Sequence, residues 1–156
     1  MSKSKSVTPD QNAFKDAVLA IRDVKHCYKA GLTALGKHSS KVHLTNTRAC
    51  NGSINIDACV RSIYPNENRW DYAFSYRSAV YFVEVHPAQT NEVDAVLLKL
   101  AWLKRWLESD APDIATLKTE RPYYWLCSGS FNILKTAPQY RRAMQAGILP
   151  ISTLKI

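Results

Sequence analysis

With 156 residues, 46% hydrophobic and 22% charged, the chain has the length and composition of one globular domain with a real core. No apolar run is long enough to span a bilayer and the start MSKSKS lacks a signal-peptide core, so no membrane partner and a cytoplasmic location are expected. The formal net charge of +8 favours an anionic partner such as nucleic acid, although net charge also serves solubility.

Residues 1–7 read as a disordered basic tail, and residues 8–156 as a single α/β domain. Thr8-Pro9-Asp10-Gln11 is a capping box with proline at the first helical position. Phe14, Ala17, Val18, Ile21, Val24 and Tyr28 then repeat at helical spacing. This predicts a helix running to about Leu35, with Gly36 closing it or Gly31 ending it earlier. His26 and Cys27 are neighbours and would point in different directions on such a helix. The four cysteines, Cys27, Cys50, Cys59 and Cys127, show no C-x-x-C spacing. Reduced thiols are therefore expected ahead of an assembled zinc site.

Lys41 to Asn46 alternates weakly and is expected as a short strand, and Asn51-Gly52 as a turn. Ile54 to Val60 reads as a strand with Ile54, Ile56, Ala58 and Val60 on one face and Asn55, Asp57 and Cys59 on the other. Asp57 is then an acid within a strand. It is a candidate metal ligand, or a partner for a nearby lysine, or an acid on a solvated face.

Trp70 to Tyr76 and Ala79 to His86 are rich in aromatic and β-branched residues, the composition of a hairpin. Arg77-Ser78 breaks them, but neither residue favours the positive φ of a primed turn, so the wider loop Tyr76 to Ala79 is an alternative. Either loop sets Asp71 opposite Glu84. Alternation then points Val80, Phe82, Glu84 and His86 one way and Tyr81, Val83 and Val85 the other. Two carboxylates with Cβ atoms roughly 5 Å apart repel each other, and a shared proton or a divalent cation would relieve the repulsion.

A helix follows, capped by Thr90 or Asn91, with Glu92 and Asp94 in its first turn. Val93, Val96, Leu97, Leu100, Leu103, Trp106 and Leu107 form its apolar face. Lys99 falls within that arc, between Leu103 and Trp106. An ammonium there must snorkel out or meet a negative partner, and the acids of the preceding strand are within reach if the helix packs over the sheet. Ser109 to Thr119 reads as a connection. Tyr123 to Cys127 reads as a buried strand parallel to Val80–His86. Ser128-Gly129-Ser130 breaks it before Phe131 to Leu134. Pro138 to Ala146 is a short basic helix ending at Gly147, and Ile148 to Ile156 is an edge strand carrying Pro150.

An Asp on one strand and a Glu-x-basic on the next, followed by a helix, resembles the PD-(D/E)XK nuclease superfamily of restriction endonucleases and Holliday junction resolvases. The resemblance covers roughly Ala13 to Leu126 as topology and a handful of residues as chemistry. It implies a mixed β-sheet flanked by helices: a restriction-endonuclease-like αβββαβ core, here with an extra C-terminal helix and strand. It implies that Asp71 and Glu84, with the backbone carbonyl of Val85, hold Mg²⁺ or Mn²⁺. His86 occupies the position of the motif lysine and Trp70 that of the motif proline, both departures. Lys99 is similar to the lysine that some members move to the following helix. The implied catalytic set is Asp71, Glu84, His86 and Lys99.

The resulting expectation is a metal-dependent nuclease, with DNA placed ahead of RNA as the substrate. Arg69, Arg77, Lys118, Arg121, Arg141 and Arg142 are candidates to hold phosphates. The resemblance further implies a homodimer, since small stand-alone nucleases of that superfamily often pair to cut two strands. Two alternatives share the same face: a non-catalytic nucleic-acid-binding or interaction module, and a metal-free RNA hydrolase using Glu84 and His86 as an acid/base pair.

Overall fold

The structure, a computed structural model, describes residues 11–156. The basic tail and most of the capping box lie outside the described residues. The chain forms a single domain of mixed α and β structure. Its elements in order are helix α1 (Ala13–Ala20), a 3₁₀ segment (Thr33–Lys41), strand β1 (Val42–His43), strand β2 (Cys50–Asn55) and helix α2 (Ile56–Val60). Strands β3 (Tyr72–Tyr76) and β4 (Ala79–Gln89) follow, then helices α3 (Val93–Ser109) and α4 (Pro112–Ala115). Strand β5 (Lys118–Asn132), helix α5 (Pro138–Gln145) and strand β6 (Leu154–Lys155) complete it.

The main sheet has the order β2-β3-β4-β5. The first two pairings are antiparallel and β4 runs parallel to β5, as a strand-helix-strand connection through α3 requires. Period-two alternation divides the side chains between two cores. Ala73, Val80, Phe82, Trp125 and Cys127 pack with residues of α1, α3, α4 and α5. Phe74, Val83 and Leu126 pack on the opposite face with Leu35, Val42 and Leu154. That second face is covered by the 3₁₀ segment and by β1 and β6, which pair parallel to each other.

The hairpin turns through Arg77 and Ser78, both at positive φ (51° and 67°). This is the two-residue turn, despite the poor intrinsic preference of both residues for that region. Neighbouring backbone and side chain compensate: Arg77 N donates to Ala49 O at 2.9 Å and Ser78 N to Asn51 Oδ1 at 2.8 Å. The pairing Tyr76↔Ala79 through Tyr72↔Val83, continued by one residue, sets Asp71 opposite Glu84.

Several local expectations are corrected. The first helix stops at Ala20, and Ile21 leaves it in extended backbone. Successive tight turns then keep Ile21 and Val24 buried, so apolar periodicity outlasts the helix. Two demands pull the chain away. Asp23, buried, accepts from Tyr64 Oη at 2.8 Å and Trp106 Nε1 at 3.1 Å, and Lys29 bridges Ser53 beside β2. Asn51-Gly52 is a β-bulge inside β2 rather than a turn. Gly52 has φ +136°, and a Cβ there would lie 2.3 Å from the Tyr28 ring, so only glycine admits that ring. The strand expected over Ile54–Val60 ends at Asn55. The Asn55 side chain accepts from Ala58 N at 2.9 Å and starts α2, an N-cap overriding a β-like composition.

Further along, α3 is preceded by a 3₁₀ turn over Thr90–Glu92 and has no side-chain cap. Its buried face includes Trp102, while Leu97 is only half-buried. β5 is one long strand, with Ser128-Gly129-Ser130 in a register shift instead of a break. The expected strands Lys41–Asn46 and Ile148–Ile156 shrink to the two-residue β1 and β6. Among the described residues no helix is long and apolar enough to cross a membrane.

Candidate active site

Glu84 lies mid-strand on β4, on the face covered by α3, and is fully buried. Its two oxygens have separate tasks. Oε1 accepts from Asp71 N at 3.1 Å. Oε2 accepts from Lys99 Nζ at 2.5 Å and stands 3.5 Å from His86 Nδ1. Asp71, just before β3, uses Oδ2 to accept from Val85 N at 3.0 Å, while its Oδ1 lies 3.8 Å from Lys99 Nζ. Val85 therefore joins the site through its backbone. The side chains of Asp71 and Lys99 retain 19% and 22% exposure, so the acids meet solvent only along this edge.

Lys99 reaches this place because its position in α3 lies within the helix's buried arc, over the sheet. An unpaired ammonium there would be expensive; the two carboxylates resolve it. Burial pushes the Lys99 amine down, but Glu84 and then Asp71 outweigh it and hold it above its ordinary value. His86 is bound on both sides. Its Nδ1 faces Glu84, and its Nε2 lies 2.7 Å from Glu92 Oε1. The hydrogen bond to Glu84 raises the imidazole, burial opposes it, and Glu92 adds to the rise.

Lys99 sits closer to Glu84 (2.5 Å) than to Asp71 (3.8 Å), which leaves Asp71 as the surplus acid, the less compensated of the two. Burial first, and the Glu84 charge second, push its carboxyl up to about 7. Asp71 thus keeps a proton to near neutrality.

These observations bear on whether the residues suit a divalent cation. Asp71 Oδ1 and Glu84 Oε2 face one positive group, and both are hard oxygen donors of the kind Mg²⁺ and Mn²⁺ take. The positive group they face is the Lys99 ammonium, and their other oxygens accept from backbone N–H groups, so an ion here would have to displace the lysine.

Asp57 does not belong to this set. It stands in the first turn of α2, not on a strand, and its oxygens accept from Arg61 at 2.7 Å and Arg69 at 2.9 Å. It touches the site through its backbone N–H, which donates to Asp71 O at 3.3 Å, and its charge adds weakly to the rise at Asp71 and Lys99. Arg69 is consequently engaged within the fold and Arg142 pairs with Asp94. Arg77 lies over the Tyr76 ring, and Lys118, Arg121 and Arg141 are exposed on β5 and α5. Trp70, at the motif-proline position, is buried in the helix-side core.

Sequence reasoning missed Glu92 as the second partner of His86; its spacing of six residues across a strand-to-helix corner carries no periodic signal. It also missed the pairing of Cys27 with Cys59, which form a disulfide across 32 residues with Cα atoms 6.2 Å apart. The expectation of four reduced thiols is therefore corrected. Cys50 and Cys127 remain free. No family model, curated protein or solved structure matches this chain.

Proposed function

We propose that the chain is a metal-dependent nuclease of the PD-(D/E)XK type, acting on phosphodiester bonds of nucleic acid. The observation that carries this reading is the convergence of Asp71, just before β3, Glu84 on β4 and Lys99 on α3 onto one point. The sheet strands β2-β3-β4-β5, with α1 before them, α3 between β4 and β5, two antiparallel pairings and one parallel, support a restriction-endonuclease-like arrangement, with the short α2 inserted between β2 and β3 and α4 between α3 and β5.

Asp71 and Glu84, with the Val85 carbonyl by resemblance, would hold Mg²⁺ or Mn²⁺. Such an ion supplies charge stabilisation at the scissile phosphate and lowers the pKa of an attacking water. Lys99 remains protonated next to two acids, so its role is to orient water and stabilise phosphate charge instead of abstracting a proton. His86 uses both ring nitrogens on Glu84 and Glu92, which makes it a positioning residue for the Glu84 carboxylate. The exposed Lys118, Arg121 and Arg141 would meet phosphates, and the net charge of +8 would draw the polyanion in.

A second reading, a nucleic-acid-binding module without cleavage, is favoured by one observation: Lys99 already sits against Glu84 as an internal ion pair. Cleavage of plasmid DNA and single-stranded RNA with Mg²⁺, with Mn²⁺ and with EDTA separates the two. Metal-dependent cutting is expected, reduced at least about a hundredfold in Glu84→Gln and Lys99→Ala. Cutting that survives Glu84→Gln rejects this site. Binding without cutting under any condition selects the second reading.

A further inference from the structure

A separate cluster has the chemistry of a soft metal site. His26 and Cys27 lie in the turns after α1, and Cys59 lies in α2. The three ligand atoms, one imidazole nitrogen and two sulfurs, all fall within 4.8 Å of one another. Because the chain is not helical at residues 26–27, neighbours that would diverge on a helix here serve one point. His26 Nε2 lies 3.7 Å from Cys59 Sγ. In a tetrahedral zinc centre, with Zn–S about 2.3 Å and Zn–N about 2.0–2.1 Å, the nitrogen-to-sulfur edge is about 3.6 Å. The imidazole is thus already at ligand distance from one sulfur. The cluster borders a cleft of about 600 Å³, lined also by Lys29, Thr33, Asn55 and Ser62. His26 is exposed and both cysteines are partly so, so an ion has an open path.

We propose that in the reduced protein His26, Cys27 and Cys59 bind Zn²⁺, with solvent from the cleft in the fourth position. Two thiolates and an imidazole are the donors that select zinc over magnesium or calcium, and three protein ligands with one open position is an established zinc pattern. The disulfide and the zinc centre are alternative states of the same sulfurs. A water-soluble phosphine reductant supplies the two electrons that break the S–S bond; the phosphine takes oxygen from water and leaves as its oxide, and each sulfur ends as a thiol. Zinc then forms two Zn–S bonds and one Zn–N bond, releasing two protons. In either state the link ties the turns after α1 to α2, whose Asp57 N–H supports the Asp71 carbonyl.

The test uses the full chain, reduced with the phosphine under anaerobic conditions and titrated with Co²⁺. One Co²⁺ per chain is expected, with a sulfur-to-cobalt charge-transfer band and tetrahedral d–d bands, all lost when Zn²⁺ is added. His26→Ala should weaken binding by at least the roughly hundredfold that even outer-shell losses reach. Cys59→Ser should abolish the charge-transfer spectrum, Cys50→Ser and Cys127→Ser should leave it intact, and the oxidised protein should show none. Wild-type protein alone supplies a readout independent of variant folding: Zn²⁺ should protect Cys27 and Cys59, but not Cys50, from alkylation read by mass spectrometry. A reduced protein without the charge-transfer band, or binding indifferent to both His26→Ala and Cys59→Ser, or no protection of Cys27 and Cys59, overturns the proposal.

Discussion

Asp71→Asn isolates the surplus charge at the acid pair. Asn keeps an oxygen to accept from Val85 N, now at 3.0 Å from Asp71, and removes only the ionisation. The folded-state carboxyl titrates at about 7 against an ordinary value of 3.8. A raised carboxyl binds its proton more tightly in the folded state, so below pH 4 the group is neutral whether folded or unfolded. As pH rises from about 4 to 7 the unfolded chain ionises freely and the folded chain does so only at a cost; stability falls across that window and stays lowered above it. The gap corresponds to roughly 4 kcal/mol at full ionisation. Urea unfolding of wild type and Asp71→Asn at pH 5 and pH 8 measures it. The variant should gain about 2–4 kcal/mol on wild type at pH 8 and somewhat under half of that at pH 5, where the unfolded carboxyl is ionised and the folded one still holds its proton. His86 also loses its stabilising contribution as pH rises through its raised value, but that change is common to both proteins and cancels in the difference. On the proposed metal-dependent reading, Mg²⁺ should stabilise wild type more at pH 8, where Asp71 is ionised, than at pH 5, where the ion must displace its proton, and should do little for the variant. An Asp71→Asn protein no more stable than wild type at pH 8, or equally shifted at both pH values, refutes the surplus-acid argument.

Two stability predictions test the frame around the site. Asp23→Ala should cost about 2–4 kcal/mol in denaturant unfolding, because it strands the buried Trp106 N–H and the Tyr64 hydroxyl; Arg22→Ala, whose side chain is 78% exposed, should cost under about 1 kcal/mol, and equal losses would contradict this account. Gly52→Ala should lose about 2 kcal/mol or more, from a Cβ driven into a Tyr28 ring that its hydroxyl pins to Asn51 O at 2.6 Å, and a shift in Tm too small to correspond to about 1 kcal/mol would show that the ring yields.

The parts of the fold legible in the sequence are those where one local rule meets no competitor. The β3–β4 register follows from two aromatic-rich runs and the short Arg77-Ser78 break, and both loop options lead to it. The buried arc of α3 follows from the spacing of Val93, Val96, Leu100 and Leu103. Where two rules compete, the long-range partner decides. Ile21 and Val24 continue a helical pattern, yet the need of Asp23 for Tyr64 and Trp106, far along the chain, bends the backbone away. Ile54 to Val60 alternates like a strand, yet the Asn55 side chain caps a helix in the middle of it. Arg77 and Ser78 dislike positive φ, yet Asn51 and Ala49 of the adjacent strand hold them there.

The same distinction governs the two clusters. Asp71, Glu84 and Lys99 each break a hydrophobic pattern, and a charge in an apolar pattern demands a partner wherever it occurs. Each therefore advertises itself separately, and a register and a helix phase bring the three together. His26, Cys27 and Cys59 break no pattern, because cysteine is at home in a core and a single histidine is unremarkable. Their meeting depends on the helix ending at Ala20 and on α2 replacing the expected strand, two turns of the backbone that are set by Asp23 and by Asn55. A metal site spaced within one element is readable from its interval; one assembled across 32 residues by a buried carboxylate and a side-chain cap becomes visible only when the backbone between its ligands is known.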